Sequence, residues 1–360
     1  MKNHQRTSDS NILLPHEIAI TKSGIKIAVC PEMELLGVIL FLSEYKETGL
    51  VTDFEFEYKR IADAYFDNFK QHKAIHFINS NMKRGFNTHV PPVATLMINR
   101  DFTLDQTALA TTPYFQNHDG FIIENVIPEF ISVMKSFYIE SDFENFFLSQ
   151  TGFCTSILEQ TAELFPDWNI ISVMESFYGK KLKTYTIMIS PLFSPGGYGP
   201  AITREDGLAV YSVQGPFSVN DNGFPAFGNK KTFIGLPLHE FGHSFLGLHF
   251  SNNPNIRKAL EDSEYLMAPV IEKMEQLSYP FWSITIEETI LRAVVFRMLS
   301  DHQEIDVEKN FRMYYDEGFI YLYTVSDFLE EYINNRDIYP TFDDFIPVLI
   351  RELMRTYPRP

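Results

Sequence analysis

Two histidines four residues apart, with a glutamate beside the first, constrain this chain more than any other feature; they lie in Leu238-His239-Glu240-Phe241-Gly242-His243-Ser244. On a helix of about 3.6 residues per turn, side chains at i and i+4 stand one above the other, so both imidazoles can reach a single ion when the segment is helical. Glu240 then projects about 100° further round and faces water at the ion rather than the ion itself. Phe241, Phe245 and Leu248 form an apolar stripe at helical spacing, which predicts a helix over residues 237–248. With 10 His in 360 residues, about 0.02 such matches arise by chance, so coincidence is the weaker explanation.

The residue types dictate the chemistry. Zinc bound by imidazoles brings the pKa of water down to roughly 7 and polarises a carbonyl, while a neighbouring carboxylate removes the proton. The H-E-x-x-H pattern therefore predicts Zn2+ on His239 and His243, Glu240 as general base, and a peptide or protein as substrate.

A third protein ligand is needed, and the sequence offers rivals. His249 lies ten residues after His239, the metzincin spacing, and Leu266-Met267-Ala268-Pro269 resembles a Met-turn; the turning glycine, however, falls one residue late, at Gly247 instead of the position held by Leu246. The gluzincin alternative is Glu288, 45 residues beyond His243 in an apolar helical pattern where a buried acid would want a cation. Arg292, one turn on, would orient it. Glu287 is a neighbour that spacing does not exclude. A purely structural role also exists for Glu288, as the acidic member of a capping box begun by Thr285.

Along the chain, residues 1–23 read as a flexible N-terminal arm, 24–30 as a short strand, and 31–45, 54–72 and 128–177 as helical material. Strands are expected over 183–193 and 208–214, and a glycine-rich loop over 194–200. Helices follow over 237–248, 256–277, 285–300, 318–334 and 341–355, the last begun by a capping-box pair, Thr341 and Asp344. The expected architecture is α+β: a mainly helical part at 24–180, then a zincin-like catalytic part at 181–360 with a small sheet and the motif helix. Tyr198 in the glycine loop is the candidate donor to an oxyanion, and the strand at 208–214 the candidate sheet edge for an extended peptide.

Composition narrows the partners. A net charge of −17 repels a phosphate backbone and excludes nucleic acid. Only two cysteines, Cys30 and Cys154, are present, in no metal-type spacing, so both are expected as buried thiols. The 33 Phe and 18 Tyr supply a core without disulfide staples. No apolar stretch is long enough to span a membrane and the start lacks a signal-peptide pattern, so a cytoplasmic protein is expected, or an exported one if a leader has been removed.

The motif segment, the run from Met267-Ala268-Pro269-Val270-Ile271-Glu272-Lys273-Met274 to Glu288-Thr289-Ile290-Leu291-Arg292-Ala293, and residues 332–345 together resemble a bacterial family of gluzincin-like proteins classed as a domain of unknown function. The likeness extends upstream through Gly196-Gly197-Tyr198-Gly199 to the helix near residues 58–69, most of the chain. It implies a zinc peptidase-like fold with His239, His243 and Glu288 as ligands. Members commonly look exported, which this chain does not. The alternatives are a catalytically inactive relative that binds without cleaving, and a metzincin-type hydrolase using His249.

Overall fold

The computed structural model describes residues 12–116, 118–204, 207–247, 251–302 and 307–359. Its packing separates two units: residues up to Leu164 with Thr186–Gly228, and Phe165–Tyr185 with Asn229–Pro360. The architecture is α+β, mostly helical before the third strand, with one small mixed sheet.

The first unit carries that sheet. Its strands are β1 (Ile18–Lys22), β2 (Ile25–Val29), β3 (Thr184–Ile189), β4 (Gly196–Tyr198), β5 (Ala201–Arg204) and β6 (Gly207–Gly215). They run in the order β1-β2-β3-β6-β4, with β5 also paired to β6. β2 and β3 pair in parallel, Ile27 opposite Ile187, and both are buried almost throughout, as strands covered on both faces are. Two expectations change here. Residues 18–22, expected within the flexible arm, form β1, paired antiparallel with β2. Residues 196–198, expected in a loop, pair with β6 as Gly196 opposite Gly215 and Tyr198 opposite Val213, so β6 lies inside the sheet and is not its edge.

Phenylalanines fill the helical core of this unit. Phe66, Phe137, Phe143 and Phe146 lie with ring centroids 4.7–6.3 Å apart, and each buried ring contributes roughly 1.5–3 kcal/mol. One acid is enclosed nearby. Glu34 accepts hydrogen bonds from the Tyr58 and Ser190 hydroxyls, each at 2.7 Å, and burial pushes its pKa up to about 7.

The second unit is built on the helix Trp282–Asp301, whose buried residues occupy every face, as its lack of a continuous polar stripe requires. The helices Lys230–Leu246 and Leu322–Asn334 pack against it. Trp282 anchors its first turn by donating from Nε1 to Ser263 Oγ at 2.7 Å. The capping box of Thr341 and Asp344 opens Phe342–Thr356 as the sequence implies. The expected helix over 256–277 is instead three pieces, Pro254–Ser263, a 3-10 turn at Glu264–Met267 and Ile271–Gln276. Pro269 cannot donate to the ladder at the break. Among the described residues no helix is long and apolar enough to cross a membrane.

Candidate metal centre

The motif helix, Lys230–Leu246, begins seven residues earlier than its proline suggests. Asn229 caps it, accepting from the Thr232 N–H through its side chain at 3.2 Å, and Pro237 sits inside the helix at the cost of one ladder bond. The apolar stripe anchors the far side: Phe245 stacks on Tyr178 at 4.5 Å and Phe241 meets Tyr185 edge-on at 5.4 Å. The helix ends at Leu246, and Gly247 follows at φ +49° with its N–H on His243 O at 2.8 Å. His249 lies outside the described residues.

Gly242 brings this helix onto Trp282–Asp301. A Cβ there would stand 2.6 Å from Leu291 Cδ2 and 3.1 Å from the Tyr178 hydroxyl, so only glycine permits this separation. At that approach His239, His243 and Glu288 converge, with one ligand atom from each inside a 4.8 Å span. His239 Nε2 is 3.4 Å from Glu288 Oε2, and His243 Nε2 is 3.4 Å from Glu288 Oε1. The two distances reach different oxygens of Glu288, and two imidazole nitrogens with a carboxylate are a donor set of the kind a divalent metal ion takes. Both histidines are partly exposed, whereas Glu288 is buried.

Thr285 is not a helix cap. The helix starts at Trp282, and the Thr285 hydroxyl, already inside it, donates to the Tyr279 carbonyl oxygen at 3.2 Å. Glu288 therefore sits in the second turn, turned toward the histidines, and the capping-box explanation does not apply. Glu287, the other acidic neighbour, approaches His243 from its Nδ1 side at 2.9 Å and is not a member of the three-residue group.

The charges interlock. Burial alone would raise the Glu288 pKa, but hydrogen bonding and charge from His239, together with Arg292 and His243, hold it well below the usual carboxylate range. Arg292 donates to both the carboxylate and the carbonyl oxygen of Glu288, and its guanidinium lies 4.2 Å from the Phe319 ring centroid. Burial would lower the His243 pKa, yet its bond to Glu287 and the Glu288 and Glu240 charges bring it up to about 9. Glu240 is buried, and that burial raises its pKa. Tyr279, absent from the sequence-level candidates, belongs here too. It is partly exposed, its phenol is pushed up by burial and by the Glu288 and Glu240 charges, and it shares a hydrogen bond with the Arg292 side chain. No local pattern marks it, since its only sequence sign is a position just before a helix start.

Tyr198, the oxyanion donor expected from sequence, lies in β4 of the first unit, where its ring meets His89 and Phe193 edge-on. The cluster and Tyr279 belong to the second unit.

A family model described as a domain of unknown function, DUF4932, matches residues 25–352. No curated protein and no solved structure matches the chain.

Proposed function

Since this chain belongs to the DUF4932 family, a domain of unknown function, we propose its activity from the site itself: a zinc-dependent peptidase of gluzincin type, with the ion on His239, His243 and Glu288. The observation that carries this reading is the 3.4 Å spacing from Glu288 to each histidine, with Glu240 on the same helix one residue after the first of them. A bound zinc ion would supply Lewis acidity toward the scissile carbonyl and acidify water beside it.

The chain's own groups do the rest. Glu240, made more basic by its burial, accepts a proton from the attacking water and passes it to the departing amine nitrogen. Tyr279 accepts from Arg292 and so keeps its own O–H to give; in this reading it donates to the developing oxyanion. Arg292 takes no part in proton transfer and holds Glu288 and Tyr279 in place.

The test is elemental analysis of the purified protein beside a Glu288→Ala variant, followed by a peptide-cleavage screen. We expect one zinc per chain, lost in the variant, and hydrolysis that falls about 100-fold or more in Glu240→Gln while its zinc is retained. A native protein without zinc after resupply would refute the reading and leave the non-catalytic relative in its place.

A further inference from the structure

Two consecutive acids, Glu287 and Glu288, meet the same histidine from opposite sides. Glu288 Oε1 is 3.4 Å from His243 Nε2, and Glu287 Oε1 is 2.9 Å from His243 Nδ1. Neighbours on a helix project about 100° apart, so the two carboxylates cannot serve one point; they divide the ring between them.

We infer that Glu287 is a positioning residue for metal binding, which holds the His243 proton on Nδ1 and turns its Nε2 lone pair toward the ion. The inference rests on the zinc reading above. A neutral imidazole carries its single proton on one nitrogen, and the partner of the other nitrogen is set by that choice. A carboxylate at 2.9 Å fixes the proton on Nδ1 as donor, locks the ring plane and makes Nε2 a better electron donor.

The surroundings keep this acid in place. Glu287 is 1% exposed. Beside it the buried Tyr178 hydroxyl, which has no hydrogen-bond partner among the described residues, lies within its electrostatic reach and 3.1 Å from the position a Gly242 Cβ would take. One helical turn supplies both a ligand and the group that orients another ligand.

The experiment compares zinc affinity, by competition with a chromophoric chelator, in the native protein and Glu287→Gln. The glutamine keeps the shape and can still accept, but loses the charge and can also donate to the wrong tautomer. We expect the variant to bind zinc about 10-fold or more weakly. Histidine-selective nitrogen NMR on the native zinc-loaded protein provides a measurement independent of the variant's folding, and we expect His243 to be protonated at Nδ1 and ligated through Nε2. Equal zinc affinities in a folded variant, or a native His243 ligated through Nδ1, would overturn the inference while leaving a zinc site standing. Failure of the native protein itself to bind zinc would instead bring down the underlying reading, and the inference with it. A merely structural Glu287 would lower the unfolding temperature of the variant without changing its zinc affinity.

Discussion

Gly242 and Leu291 set the separation of the two helices that carry His239, His243 and Glu288: a Cβ on the glycine would come within 2.6 Å of the leucine Cδ2. Leu291 is fully buried and has little room to retreat. Gly242→Ala should therefore push the helices apart, costing about 1–3 kcal/mol of stability and moving the histidines away from Glu288. Thermal unfolding and zinc stoichiometry measure both effects, and Leu291→Ala added to the same chain should restore part of the zinc binding. Full zinc occupancy in Gly242→Ala alone would show that the contact does not set the site.

Arg292 shares the compensation of a buried carboxylate with two histidines. Arg292→Ala should cost about 1.5–3 kcal/mol in the metal-free protein, since Glu288 then loses its charge-assisted hydrogen bond while His239 and His243 remain 3.4 Å away. Arg292→Lys should recover only part of this, because an ammonium lacks the separate nitrogens that serve Glu288 and Tyr279 together and the guanidinium's contact with the Phe319 ring. Denaturant unfolding of the three proteins without metal gives the comparison; a lysine variant as stable as the native chain would contradict it.

Tyr279→Phe should keep the metal and the fold but lower kcat about 100-fold with a small change in KM, the pattern of a donor used only as the oxyanion forms. The lost phenol leaves Arg292 with its Glu288 contacts intact. A rise in KM at unchanged kcat would assign Tyr279 to substrate binding instead.

Glu34 gives the first unit a pH dependence with a definite sign. Its pKa in the folded chain, about 7, lies above the ordinary 4.5, so the protonated acid is the form the core prefers. The stability it allows is fully present below pH 4.5 and is lost as pH rises through 7. Glu34→Gln removes that loss, and relative to the native chain it should gain about 3 kcal/mol between pH 4 and pH 8. Urea unfolding of both proteins at the two pH values measures the gain; a difference independent of pH would mean that the acid titrates alike in the folded and the unfolded chain.

Much of the centre was legible in the sequence because its first part is local. The spacing of His239 and His243 requires a helix, the stripe of Phe241 and Phe245 supplies one, and four residues suffice to bring two imidazoles over one point. Glu288 was visible as an acid amid apolar residues, and Arg292 one turn beyond it as its partner. The capping box at Thr341 was equally local. The helix start at Lys230 was hidden because Pro237 imitates a first-turn residue, while Asn229, the true cap, looks like part of a loop.

Other features depended on pairs far apart in the chain, which no periodicity encodes. Thr285 followed by Glu288 reads locally as a helix start, and only the packing of Trp282 on Ser263 shows that the helix has already begun. Glu287 and Glu288 are the same residue type at adjacent positions, so their separate orientations against His243 follow from how the helix is rotated toward the motif. The sequence by itself determined that two histidines and a glutamate share one helix. The tertiary structure decided which acid meets them and where Tyr279 stands, because those distances are set by side-chain packing such as that of Gly242 on Leu291, across 49 residues of chain.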